Sequence, residues 1–333
     1  MQLDHQKIMT DSNKDLEKTI LELNKKFGIN TIGKIGEMPT IKMDRISSGS
    51  SYLDWAIGGG WPLGRVIELY GNPSSGKSLI SMRTAAEFQK LGKKVVLIDA
   101  ENAFDPEFAK KLGVDTNELV LSQMSSGEFV FDMVDKLLET DVGLIIIDSV
   151  ASLVPNYETD NEMDKQTIGV QARLMSKALR KINGKANKNK TLIIFINQIR
   201  EKVGVMYGNP EITSGGRALA FYSSIRLEVK RGDFLKENES TVGHQVKFRV
   251  TKSKVCSPFK DGYFCFYYPD DSWTDGIKLF DDADELVSML LINKKITRRG
   301  AWYDAGGESF QGREKLEEKI REDIKFKELL TKL

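Results

Sequence analysis

The sequence predicts an α/β fold: a mostly parallel central sheet with an antiparallel extension, preceded by a helical arm and followed by a small C-terminal α/β domain. Three observations predict it. Val66 to Tyr70, Lys94 to Asp99, Leu144 to Asp148 and Leu192 to Asn197 are short, apolar and β-branched, and helical segments alternate with them. Three of these runs are nearly continuous in apolar residues, the mark of parallel strands buried on both faces. Ile225 to Lys230, His244 to Lys252 and Tyr263 to Tyr268 instead alternate apolar and polar residues, as antiparallel strands with one wet face do. Finally, Gly71-Asn-Pro-Ser-Ser-Gly-Lys-Ser78 fits G-x-x-x-x-G-K-[ST] at every fixed position. It lies between a strand-like run and a segment, Leu79 to Lys90, free of Gly and Pro, which is the strand, loop and helix order that motif requires.

Taken in order, the chain begins with apolar residues at Leu16, Ile20, Leu23 and Phe27, the spacing of one helix face, with Gly28 as a stop signal. A polar, glycine-containing connection from Lys34 to Ser51 follows, so this arm has no evident core of its own and is expected to dock on a neighbouring subunit. The expected organisation is an arm and linker over 1–34, a core over 35–274 and a small domain over 275–333. After about Lys278 helical patterns dominate, with Leu316, Ile320 and Ile324 on one face.

Composition narrows the function classes. Among 333 residues, 49 Lys and Arg nearly balance 48 Asp and Glu, so the net charge of +1 gives no global pull toward a polyanion, and any nucleic-acid surface must be local. Cys256 and Cys265 form no zinc pattern and read as reduced and structural. Two histidines, His5 and His244, argue against a histidine metal site or a His-centred triad. The N-terminus has no apolar leader core, and no apolar run approaches the roughly 20 residues that span a bilayer, so a cytoplasmic location is expected.

The loop at 71–78 reads as a phosphate-binding loop. Gly71 and Gly76 let the backbone curl, so that N–H groups from Ser74 and Ser75 onward through Leu79 face a nucleoside triphosphate. Lys77 would reach the β and γ phosphates, and Ser78 would offer its hydroxyl to Mg2+. Leu144-Ile-Ile-Ile-Asp148 delivers a second metal ligand, Asp148, to a strand end, where the alternative is a helix cap. Ser149, not a glutamate, follows it, so a base must come from elsewhere. Glu101, just past the strand ending at Asp99, is the candidate general base, the alternative being a solvated acid in a turn. Gln198, at a third strand end, offers an amide that senses a γ-phosphate without taking its proton, unless Asn197 and Gln198 merely cap the strand.

Longer blocks carry a family resemblance. Ile98 to Pro106, the strand ending at Asp148-Ser149, Phe195 to Arg200, Lys202 to Pro210, Thr213 to Gly216, Lys252 to Lys254, Ser257 to Phe259 and Gly300 to Tyr303 closely resemble the RecA family of bacterial DNA strand-exchange recombinases. The resemblance runs in one order from about Leu16 to past Gln311. It implies a P-loop NTPase core of RecA type that uses ATP and Mg2+, forms helical filaments on single-stranded DNA and exchanges strands with homologous duplex DNA. Glu101 would activate water and Gln198 would couple the γ-phosphate to DNA. Asp105 and Phe108 would contact adenine with Tyr268 nearby, and Lys252 and Lys254 would reach across a filament interface to the neighbour's ATP.

The resemblance also implies two DNA loops. One spans Glu158 to Ile168 and leads to Arg173, Ser176 and Arg180; the other spans Glu201 to Ser214, with Lys202 and Val203, and ends at Gly215-Gly216. Arg side chains and backbone N–H groups would hold phosphates, while Ile168 and Val203 would wedge between bases. Lys181, Lys185, Lys188 and Lys190 extend this surface or form a solvated helix end; Lys294, Lys295, Arg298 and Arg299 before Trp302 form a duplex gateway or a basic face over a core tryptophan. Repressor and loader proteins are further partners the resemblance allows. Four departures stand out: Phe108 for a tyrosine, Pro73 for an acid, Arg217 for an asparagine and Ala220 for an interface lysine. The chain ends without the acidic tail of many relatives, so duplex binding is expected to need less excess Mg2+. A closed-ring relative and a P-loop small-molecule kinase are the competing readings.

Overall fold

The computed structural model describes residues 2–28, 31–34, 36, 43–159, 169–201, 211–237, 239–269 and 279–333. The chain divides into two compact units, Met1–Asp44 and Arg45–Leu333. In the first, a single helix runs from Gln2 to Phe27, longer than the apolar spacing of its second half marks. It stops at Gly28, whose φ of +113° suits glycine, and the Asn24 amide clasps the Ile32 backbone at 2.8 and 3.0 Å.

The second unit is built on a nine-stranded sheet. Its spatial order is Asp261–Tyr267, Ser240–Ser253, Ile225–Glu237, Val66–Gly71, Leu192–Glu201, Val142–Asp148, Lys94–Asp99 and Leu119–Ser122, and Glu211–Thr213 pairs with Leu192–Glu201 off this path. The strands from Ile225–Glu237 to Leu119–Ser122 along this order are parallel; the antiparallel extension begins one strand later than the alternation in the sequence suggested. Helices cover both faces, so two apolar layers form. One gathers Leu69, Ile80, Leu97, Ile146 and Ile194; the other gathers Ile98, Ile145, Ile147, Met175 and Phe195. Alternate residues of one buried strand thus serve opposite layers, which is why those runs are continuously apolar.

The C-terminal part packs the helix Asp282–Ile292, a three-stranded antiparallel sheet (Thr297–Arg299, Trp302–Ala305, Glu308–Gln311) and two helices around Leu286, Leu290, Tyr303, Leu316 and Ile320. Ile324 does not share that face: it is 72% exposed. The helix Arg313–Glu322 ends before it, Asp323 caps the next helix by accepting from the Phe326 N–H, and Phe326 fills the core instead.

A buried ion pair fastens this part to the core. Arg83, on the helix Lys77–Lys90, donates to Glu285 at 2.8 Å, while the other Glu285 oxygen accepts from Ser50 at 2.6 Å. Asp282 accepts from the same guanidinium at 3.3 Å, which stacks 3.8 Å from the Phe280 ring centre. Burial, and to a smaller extent the Asp282 charge, push the Glu285 carboxyl up; Arg83 and Ser50 oppose them. Removing Glu285 leaves the buried Arg83 charge with only its longer contact to the half-exposed Asp282, so Glu285→Leu is expected to cost about 3 kcal/mol in chemical denaturation. Arg83→Met in the same chain should recover much of that loss; an additive double variant would show that the pair is not coupled.

Candidate functional site

Four parallel strands end along one rim of the sheet. Register places Gly71 beside Gln198 and Asp99 beside Asp148, so the phosphate loop, Glu101, Asp148 and Gln198 emerge at neighbouring points. The sequence expectation that these residues meet is met in the geometry, and their hydrogen bonds show how.

The loop leaves its strand at Gly71, where a Cβ would lie 2.0 Å from the Val229 carbonyl oxygen. It enters the helix Lys77–Lys90 through Gly76, at φ +103°. Lys77, buried, donates to the carbonyls of Gly71 (3.1 Å) and Asn72 (2.7 Å), and burial lowers its pKa against the pull of Asp148 and Glu101. The Ser75 hydroxyl is buried with no hydrogen-bond partner among the described residues. Leu79 is a core side chain, so only its backbone N–H is available in the first helical turn, which carries no acidic residue. A left-handed glycine, an unpartnered hydroxyl, a lysine on loop carbonyls and free helix N–H groups make a cradle that fits a polyphosphate.

Ser78 donates to Asp148 at 2.7 Å. The Asp148 carboxyl is pushed up to about 6, first by burial and then by the charges of Glu101 and Asp99, with the Ser78 bond and the Lys77 charge opposing. No cluster of three or more His, Cys, Asp or Glu that could cage a metal occurs among the described residues. One hydroxyl and one carboxylate oxygen fit Mg2+, which keeps waters and substrate phosphates as its other ligands. The Asp148–Ser149 peptide bond is cis.

Glu101 is exposed, and one of its oxygens accepts from Ser149 Oγ and, at 2.9 Å, from Gln198 Nε2. Its turn is shaped by Asp99, which accepts from the N–H groups of Ala103 (3.3 Å) and Phe104 (3.0 Å). The Gln198 backbone N–H donates to Asn197 Oδ1 (2.9 Å), and Asn197 Nδ2 donates to Glu68 and to the Ser214 carbonyl, both at 3.0 Å. Glu68 is fully buried and paired with Arg226 at 2.5 Å. Glu68 and Arg226 escaped the sequence reading, as did the bond of Ser149 to Glu101; a lone acid inside an apolar strand was the available signal for Glu68.

Ser214 begins the base of the second loop. Gly215 and Gly216, at φ +78° and +76°, turn it against Met175 and Ala172 of the helix Val170–Asn189, which follows the first loop. The two loop bases therefore touch. Arg173, Ser176 and Arg180 fall at i, i+3 and i+7 on that helix, and both arginines are exposed. Ile168, Lys202 and Val203 lie outside the described residues. Farther along the helix, Lys181 and Lys185 pair with Asp135 at 2.9 and 2.7 Å, a structural use of that basic run. Trp302 is 48% exposed and is no core residue.

Asp105 caps the helix Pro106–Lys111 by accepting from Glu107 N (2.9 Å) and Phe108 N (3.2 Å). Phe108 meets Phe266 edge-on at 6.1 Å, and Tyr268 lies 5.9 Å from that same ring. Lys252 and Lys254 stand apart: among the described residues no hydrogen bond joins either to the phosphate loop. Lys252 donates to the carbonyls of Ala220 (2.5 Å) and Phe221 (2.9 Å), and Lys254 to Phe221 (2.8 Å), at the end of the helix Ala218–Tyr222. Beside it a cavity of about 640 Å³ is lined by Tyr70, Arg217, Ala220, Arg226 and Arg249, so Arg217 supplies charge next to the small Ala220.

A family model for the RecA N-terminal domain matches residues 14–272. Protein RecA of Halalkalibacterium halodurans is 46% identical over 318 residues, covering 95% of this chain and 89% of that protein. Protein RecA of Bacillus anthracis is 45% identical over 323 residues, with 96% and 92% covered, and that of Limosilactobacillus reuteri is 45% identical over 318 residues, with 94% and 86% covered.

Burial first, then the charges of Lys254 and Arg226, lower the Lys252 ammonium to about 8. Because its unfolded pKa is higher, the unfolded chain binds more protons between about pH 8 and 10.5, and Lys252 should add stability as pH rises through that window. Side-chain NMR of labelled lysine should show one group, absent in Lys252→Arg, titrating near pH 8; an ordinary midpoint would refute the reading.

Proposed function

The chain belongs to the RecA family, and from that premise we propose how its residues divide the work of an ATP-dependent homologous recombinase. Proteins of this family are DNA-dependent ATPases that use ATP with Mg2+, bind single-stranded and duplex DNA and form filaments, and the kinase alternative falls with that membership.

The observation that carries the proposal is a path from Glu101 to the Ser214 carbonyl: the Gln198 side-chain amide donates to Glu101, the Gln198 backbone N–H donates to Asn197, and the Asn197 amide donates to Ser214. Glu101 is the general base: its second carboxylate oxygen is left to orient water in line with the γ-phosphate. Lys77, the N–H groups of Gly76 to Leu79 and Ser75 hold the triphosphate, and Asp105, Phe108 and Tyr268 hold the adenosine end. Ser78 and Asp148 would hold Mg2+, which when bound offsets charge on the β and γ phosphates. Lys77 needs to give up its loop carbonyls to reach phosphate, an exchange of neutral acceptors for charged ones that favours the nucleotide.

Gln198 senses the γ-phosphate with the amide N–H not committed to Glu101. Asn197 passes its displacement to the base of the second loop, so ATP favours the DNA-binding arrangement and hydrolysis releases it. Arg173 and Arg180 take DNA phosphates with Ser176, alongside Gly215 and Gly216; Ile168, Lys202 and Val203 extend the same surface by resemblance. Lys252 and Lys254 act on the neighbouring subunit's ATP, with Arg217 offsetting the loss of a lysine at Ala220. Repressor and loader proteins, and a cytoplasmic location, complete the reading. No described helix is long and apolar enough to cross a membrane.

ATP hydrolysis measured with and without single-stranded DNA tests this. Strong stimulation by DNA is expected, and Glu101→Gln should lower the stimulated kcat by roughly 100-fold or more while still binding ATP and DNA. Hydrolysis indifferent to DNA, or a Glu101→Gln protein that turns over normally, would overturn the assignment.

A further inference from the structure

His244 is the one histidine of the second unit, and none of the roles above uses it. It lies on the strand Ser240–Ser253 opposite Phe266, and only 7% of it is exposed. Its Nδ1 lies 3.0 Å from the Tyr268 hydroxyl, and the ring packs 5.7 Å from Phe266 and 5.5 Å from Tyr268. Phe266 in turn receives Phe108, so Phe108, Phe266, His244 and Tyr268 form one aromatic cluster.

Two contacts bring that cluster to the phosphate loop. Val246, two residues from His244, packs so closely on Gly76 that a Cβ there would meet it at 2.8 Å. Arg231, on the neighbouring strand, donates to the Ser74 carbonyl at 2.9 and 3.2 Å. Burial, and secondarily the Arg231 charge, lower the pKa of His244 and hold the ring neutral.

The His244 Nε2 is buried without a hydrogen-bond partner among the described residues. As a packing element a histidine is a poor choice here, because an apolar ring or a leucine would fill the space without burying an unsatisfied nitrogen. What only histidine contributes is the Nδ1 contact to Tyr268, which is partly exposed and carries the only hydroxyl of the four-residue cluster, Phe108 having none. A phenol held at one of its hydrogen-bonding sites presents the remaining ones in a fixed direction. Purines differ at position 6, an amino donor in adenine and a carbonyl acceptor in hypoxanthine, so a fixed hydroxyl at the base end discriminates between them.

We propose that His244 is a positioning residue for nucleobase recognition, fixing the Tyr268 hydroxyl so that the preference for one purine nucleoside triphosphate depends on this His–Tyr pair. The inference rests on reading Asp105, Phe108 and Tyr268 as the adenosine end of the site.

The test compares ATP with ITP in DNA-stimulated hydrolysis, with inorganic tripolyphosphate as a base-free competitor. In His244→Leu the KM for ATP should rise, the kcat should hold, and the ATP-over-ITP preference should fall by roughly 5- to 10-fold, the worth of one net hydrogen bond. Inhibition by tripolyphosphate should stay unchanged. His244→Asn, which keeps a polar atom near the Nδ1 position, should restore part of the preference and serves if the leucine variant folds poorly. Tyr268→Phe should match His244→Leu, and the double variant should be no worse than either. An unchanged ATP-over-ITP preference in both His244 variants, or fully additive losses with Tyr268→Phe, would overturn the proposal. Lys77→Ala separates the two levels: if it weakens neither ATP nor tripolyphosphate, the nucleotide site itself has been misread.

Discussion

The rest of the structure depends on the alignment of four buried parallel strands whose carboxyl ends reach one rim. Parallel pairing sets Gly71 against Gln198 and Asp99 against Asp148, so groups from distant parts of the chain come together without any loop having to search for them. The Ala100 and Glu101 N–H groups both donate to the Asp148 carbonyl, at 2.7 and 3.3 Å, which locks two of those strand ends to each other. A one-residue slip in any pairing would turn every side chain of that strand to the other layer, and two separate apolar cores resist it.

Within that frame Glu68 is a deliberate expense. A carboxylate with no exposed surface, in the middle of a sheet, is tolerated only if its lone pairs are filled, and Arg226 and Asn197 fill them from the strands on either side. The arrangement adds little net stability over an apolar packing of the same volume, but it fixes where Asn197 points, and Asn197 holds the Ser214 carbonyl. The buried charge therefore specifies the geometry between the sheet and the loop base. Arg226 is held further by stacking 4.6 Å from the Tyr70 ring centre.

The sequence disclosed the parts whose signal is local. The phosphate loop is a contiguous pattern, and strands buried on both faces announce themselves as apolar runs. The strand Leu119–Ser122 did not, because it is a four-residue edge strand with Val120 and Leu121 both exposed. Nor did the individual strands of the small C-terminal sheet, expected only as part of an α/β domain, because they have three or four residues and pair among themselves. Ile324 misled because periodicity runs through Asp323 without registering that one helix stops there and another starts. At the site, the residues proposed to act on the substrate stood out by type and position. Residues that hold them, such as Ser149, Glu68 and His244, are identified only by partners far away in sequence, and those partners require the fold.

The proposed coupling from nucleotide to DNA rests on stiffness more than on any single bond. Gln198 lies on the strand Leu192–Glu201, and the next residue, Ile199, already pairs with Thr213 on the far side of the second loop. No flexible joint separates the amide from the loop base. Ser214 is tied twice, through its carbonyl to Asn197 and through its hydroxyl to Arg200 at 3.0 Å, and the two glycines after it are wedged against the helix that follows the first loop. A small displacement of Gln198 toward phosphate cannot be absorbed locally, since moving the strand end moves the hairpin, and moving the hairpin moves Gly215 and Gly216 against Met175 and Ala172. Packed contacts of this kind shift between discrete arrangements and do not deform smoothly, so in the proposed coupling a contact as slight as one amide hydrogen bond suffices to set the relation of two loops.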